Sequence, residues 1–172
     1  MLQRVTQKQI DGVAALVREY RAAESDPDKS RGILAEITVL CSFIKRRRHL
    51  ALLGCDNAAV PAAELKSAVS ESLRALKYLG VEGSVFCTVS GNIPAKAAEA
   101  FYEFFEAAAQ AKSLTALEVR IAQPDGKPRI SIAASADLPP IAAEFPTAEI
   151  SHDGGEWSLL LVWEEETHDC FQ

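Results

Sequence analysis

The apolar period of this chain changes near Val81, and that change decides what it can fold into. Before it, apolar residues recur every three to four positions, the period of a helix buried on one side. After it, several runs alternate, the period of a half-buried strand. Thr6 to Ala23 reads as a first helix, with Ile10, Val13, Ala14 and Val17 on one face. SDPDKS, from Ser25 to Ser30, breaks it. A second helix runs from about Arg31 to Leu53. Its Ile33, Ile37, Leu40 and Ile44 form a 4-3-4 seam, and Leu34, Val39, Phe43 and Leu50 widen it. Gly54 ends that helix and Pro61 opens a third, striped by Leu65, Val69, Leu73 and Leu76 and stopped by Gly80. The second and third helices, joined by a short connection, predict a helical hairpin.

Beyond Val81, VEGSVFCTVSG alternates Val85, Cys87 and Val89 as a strand. A helix follows from Pro94 to Lys112. LTALEVRIAQ and RISIAAS flank the turn Pro124-Asp125-Gly126 and predict a β-hairpin. ADLPPIAAEFP is irregular. TAEISH, a turn at Asp153-Gly154-Gly155, and EWSLLLVWEEE complete a second antiparallel pair. Trp157, Leu159, Leu161 and Trp163 share one face of the last strand. Helices on one face of a mainly antiparallel sheet make an α+β layer fold. The join near residues 80–84 divides the chain into a helical region, 1–80, and a sandwich, 81–172.

Composition narrows the function. The net charge of -6 and the pI near 5.1 argue against a generic nucleic-acid binder. The one basic run is Lys45 to His49. It reads either as a site for phosphate or an acidic partner, or as a helix face whose long stems cover apolar surface. No apolar run is long enough to span a membrane, and the N-terminus lacks the apolar core of a signal peptide. Cys41, Cys55, Cys87 and Cys170 form no C-x-x-C pair, so neither a zinc nor a redox motif is expected, and a reducing cytoplasm fits best. His152, Asp153 and His168 are too loosely spaced for a metal site.

The candidate chemistry lies in PAKAAEAFYEFFEAAAQAKSLTALEVRI, residues 94–121. Tyr102, Glu106 and Gln110 fall at i, i+4 and i+8 and make one stripe down the helix. The helix, its polar break and the following V-x-I strand resemble the N-box region of a sensor histidine kinase. The terminal DGGEWSLLLVW is similar to the last strand of the same Bergerat-type ATP-binding domain. The resemblance covers about Arg31 to Glu165. It implies a dimerisation hairpin followed by an α/β sandwich of histidine-kinase ATPase type. By that resemblance Glu106 stands at the catalytic acid, Gln110 at the magnesium-ligating Asn, and Asp137 at the adenine-binding Asp. Read without the resemblance, Glu106 and Gln110 are polar residues at the rim of an amphipathic helix.

Two parts of the kinase pattern are missing. No glycine occurs between Gly126 and Gly154, and Pro139 takes the place of the first glycine of the nucleotide loop. Thr38 stands where the phosphoacceptor histidine is expected, with Val39 where an acid should follow, and a lone threonine hydroxyl is a poor nucleophile. His49 reads as a solvated or capping histidine. The expected function is therefore a degenerate signalling module that acts by homodimerisation and by binding a response regulator or other signalling protein. It needs no cofactor, no nucleic acid and no membrane. The alternative is an active histidine kinase that uses Mg-ATP through Glu106, Gln110 and Asp137.

Overall fold

The computed structural model describes residues 2–23, 25–137, 141 and 144–164. Two antiparallel helices lead: α1, Leu2–Ala22, and α2, Pro27–Asp56. A short strand β1, Ala59–Pro61, precedes α3, Ala62–Leu76. One 3-10 turn, Lys77–Leu79, then stops at Gly80, whose φ of 78° is the left-handed conformation glycine adopts freely. The remaining elements are β2, Glu82–Cys87; β3, Asn92–Pro94; α4, Ala95–Ala109; β4, Lys112–Ala122; β5, Arg129–Asp137; β6, Glu149–Asp153; and β7, Glu156–Val162.

The α+β class, the N-terminal hairpin and the helix-covered sheet are as the sequence predicts. The predicted hairpin of α2 and α3 forms: the helices run antiparallel across a short link that carries β1, with Ser42, Arg46 and His49 facing Ser72, Glu71 and Glu64. α1 adds a second antiparallel partner on α2. Pro27, read as a breaker, is the first residue of α2. Asp26 caps it by accepting the Lys29 backbone N–H at 3.1 Å. Gly54 does not end α2, which runs on to Asp56. It lies where a Cβ would sit 3.2 Å from the Ala95 Cβ, so glycine here admits the start of α4.

The sheet has the order β2-β4-β5-β7-β6. β2 and β4 are parallel, joined across α4, and every other neighbouring pair is antiparallel. The alternation read from sequence becomes cross-strand rows on the inner face. One row is Cys87, Ile121, Ile130, Leu161; the next is Val85, Val119, Ile132, Leu159, Ile150. The turn between β4 and β5 uses positive φ at Asp125 and Gly126. β1 and β3 pair antiparallel as a small second sheet that the sequence did not signal, each being only three residues long.

α3 and α4 cover the inner face. Val69, Leu73 and Leu76 of α3 share one core with Phe101, Phe104 and Phe105 of α4 and with the inner rows of the sheet. α3 crosses β2 so closely that a Cβ on Gly83 would fall 2.6 Å from Leu73 Cδ2. α2 packs on α1, α3 and α4, and so ties the hairpin to the sandwich. No helix among the described residues is long and apolar enough to cross a membrane.

Candidate functional site

α4 has two faces. Phe101 and Phe104 lie in the apolar core, with Phe104 edge-on to Phe145 at 5.0 Å between centroids. The stripe Tyr102-Glu106-Gln110 turns the other way, toward α1, α2 and α3. Tyr102 and Glu106 are almost fully buried there, whereas Gln110, the C-cap of α4, is exposed.

The partner of that stripe is Arg47, which in the sequence stands inside a basic run. In α2, Val39, Phe43, Arg47 and Leu50 are all buried, so the arginine sits in an apolar row. Its Nε and Nη2 donate to Glu106 Oε2 at 3.1 and 2.6 Å, and its Nη1 donates to Glu103 Oε1 at 3.1 Å. Glu106 Oε1 accepts from Gln9 Nε2 of α1, and from Gln110 Nε2 at 3.3 Å. Four donors thus converge on the two oxygens, the full complement of a carboxylate. Burial pushes the Glu106 carboxyl up from its ordinary value against the pull of Arg47, and Glu103 adds to the rise. Glu99, one turn before Glu103, is raised by partial burial and then by Glu103.

Tyr102 continues the polar seam. Its hydroxyl is 2.7 Å from Ser72 Oγ of α3, and Ser72 Oγ is 3.5 Å from Ser42 Oγ of α2. Burial drives the phenol well above its usual range.

The rest of the basic run is divided. Arg46 pairs with Glu71 of α3. His49 Nε2 lies 3.0 Å from Glu64 Oε2, also of α3. Lys45 and Arg48 are exposed. The run therefore serves mostly as a clasp on α3 and α4, a role that neither of its two sequence readings named. The signal was present: Arg47 follows Phe43 by four residues, in the apolar row rather than beside it.

The other candidates do not join this cluster. Asp137 ends β5, opposite Lys112 of β4. Its side chain, Pro139, His168 and Cys170 lie outside the described residues. Thr38 is exposed, and its hydroxyl donates to the Leu34 carbonyl one turn back at 2.8 Å. Among the described residues, no group of three or more His, Cys, Asp or Glu side chains is placed to hold a metal ion. Two shallow cavities of about 480 and 500 Å³ lie at one end of the sheet and share Gln123. Arg129 lines the first, Lys127 and Trp163 the second, and neither touches the α4 stripe.

No protein-family model matches the sequence, and no curated protein does. Among solved structures the chain is similar to a bacterial phosphotransferase determined at 1.7 Å. The TM-score is 0.58, at 11% identity over 92% of this chain and 89% of that one. It also aligns with the histidine kinase domain of a blue-light activated kinase from Erythrobacter litoralis, at a TM-score of 0.49 and 12% identity over 92% of each chain. The Acinetobacter baumannii histidine kinase AdeS aligns at 0.48 and 12% identity, over 89% of this chain and 95% of that one. At such identity the phosphotransferase likeness establishes a shared fold and leaves the chemistry to the residues themselves.

Proposed function

We propose that this chain is a signalling module of the histidine-kinase type that works by pairing its hairpins and binding a partner, without transferring phosphate itself. The observation that carries the reading is the state of Glu106. Its carboxylate is buried and held by four donors from α1, α2 and α4. A side chain so engaged is not free to orient water or to take a proton from an acceptor. The threonine at position 38 supports the same reading, since its hydroxyl is turned back to the helix. The phosphotransferase of similar fold suits a place in phosphate signalling, and a response regulator is the kind of partner such a module would meet.

Pairing through the hairpin is supported by an apolar stripe on α2. Leu34 is 45% exposed, Ile37 and Ile44 are half-buried, and Cys41 is exposed, at 3-4-3 spacing. A second copy closing on such a stripe would complete a four-helix bundle.

Calorimetry with Mg-ATP tests the first half of the proposal. No tight binding is expected. A dissociation constant in the low-micromolar range, abolished by Glu106→Ala or Asp137→Ala, overturns it in favour of an active kinase. Light scattering tests the second half. The unmutated chain is expected to have the mass of a dimer at micromolar concentration, and Ile37→Glu or Ile44→Glu to give a monomer.

A further inference from the structure

β2 and β4 are the parallel pair of the sheet, and just past their carboxyl ends lies the cavity of about 480 Å³ beside Arg129. The chain leaves β2 toward β3 and α4 but leaves β4 toward β5. The two exits part, and a crevice opens between them, the usual place for a ligand on parallel strands. We propose that this cavity binds the phosphate group of a small phosphate monoester, held by the Arg129 guanidinium, the Ser90 hydroxyl and the backbone N–H groups of the loop after β2.

Charge favours an anion here. The chain carries 24 acidic residues against 18 basic ones, yet no acid lines this cavity. Arg129 is exposed and forms no ion pair among the described residues. Lys127, in the neighbouring cavity, instead lies 3.8 Å from Glu164. A guanidinium without a counter-charge presents a fixed fork of donors that fits phosphate or carboxylate. α4 begins at the same end of the sheet. Its N-cap, Pro94, lines the neighbouring cavity, and its first turn holds neither an acid nor a side-chain cap. The positive end of that helix adds to the attraction.

The supply of donors selects phosphate over carboxylate. The Thr88 N–H is spent on the Ile121 carbonyl, which the Thr88 hydroxyl also approaches at 3.5 Å. The N–H groups of Val89, Ser90 and Gly91 have no backbone acceptor among the described residues. With the Ser90 hydroxyl and the arginine fork they exceed the roughly four bonds that a carboxylate accepts. They suit the three terminal oxygens and near-double charge of a phosphate monoester. Gln123 joins this cavity to the second, of about 500 Å³, where Pro94, Pro128 and Trp163 leave room for the esterified group. The site is at the opposite end of β5 from Asp137, so it is separate from the nucleotide position that the kinase resemblance implies.

The test is a titration of the isotope-labelled chain, followed by NMR of its amide signals, at constant ionic strength and without magnesium. The probes are phenyl phosphate and benzoate. Phenyl phosphate should shift Ser90, Gly91 and the Gln123 side-chain amide together, with a dissociation constant of about 1 mM or tighter, the scale for so small a ligand in a shallow site. Benzoate should bind about tenfold more weakly or worse, and Arg129→Gln should weaken phenyl phosphate by about tenfold. Arg129→Lys keeps the charge without the fork and should fall between Arg129→Gln and the parent. Arg120→Gln removes another exposed arginine, one already paired with Glu118, and should change the constant by less than about twofold. No shifts in the loop by about 20 mM phenyl phosphate, benzoate binding as well as phenyl phosphate, or an equal loss from Arg120→Gln would each overturn the proposal. Binding without magnesium that depends on Arg129 also separates this site from nucleotide binding at Glu106 and Asp137, so the result stands whichever way the kinase-like reading is decided.

Discussion

α4 joins two interfaces of opposite character. Toward the sheet it presents Phe101 and Phe104 to rows of Val, Ile and Leu. Toward the hairpin it presents Tyr102, Glu103 and Glu106 to serines, an arginine and a glutamine. The first interface draws its stability from apolar area removed from water. The second gains less, because charges give up hydration about as strongly as they attract one another, but it fixes one docking geometry. One helix therefore holds the sandwich together and positions a second body on it.

The largest effect is expected on the apolar side. Phe104→Ala removes a fully buried ring that packs on Phe145. It should destabilise the chain by about 3–5 kcal/mol, read from urea unfolding, and lower the whole cooperative transition. A loss under about 1 kcal/mol would mean that the sheet interface is not what holds the fold.

The polar side should respond to how its groups are removed rather than to their size. Arg47→Leu leaves Glu106 buried beside one fewer cation and should cost about 3 kcal/mol, softened because the carboxyl can take up a proton. Arg47→Leu/Glu106→Leu should recover most of that loss and unfold within about 1 kcal/mol of the parent. If the double variant is as unstable as the two single losses added together, Arg47 and Glu106 are not coupled and the interface does not rest on their pairing. A smaller effect is expected from Asp26→Ala, about 1 kcal/mol, because it removes only the cap of α2.

The two interfaces were not equally legible in the sequence. The sheet could be read because period two survives into structure: Leu117, Val119 and Ile121 alternate in the chain and are buried together in β4. The stripe on α4 could also be read, since Tyr102, Glu106 and Gln110 are spaced for one face, and Glu106 and Gln110 do meet. What lies opposite the stripe could not. Arg47 is 59 residues from Glu106, and a local pattern carries no information about which helix crosses which. The hairpin of α2 and α3 is legible for the same reason as the sheet, since its helical stripes survive into structure. β1 is not, because three residues are too few for a period to register, and Pro27 signals a break as strongly as it signals a helix start.

The smallest expected effect concerns protons, and its sign separates the two sides of α4 most finely. Burial raises the Glu106 carboxyl above its ordinary value of 4.5, with Arg47 opposing. The native state then binds more protons than the unfolded chain between that value and the raised one, so stability falls as pH rises through this window. Glu99 is raised as well and adds a slope of the same sign. The apolar interface has no titrating group of this kind among the described buried residues and contributes no slope. Glu106→Gln should therefore flatten the dependence of the urea midpoint on pH from 4.5 upward, leaving only the part due to Glu99. A variant with an unchanged slope would assign the pH dependence elsewhere. A slope of opposite sign in the parent would mean that Arg47 outweighs burial, and that the junction is held by charge attraction strong enough to stabilise the fold rather than merely to orient it.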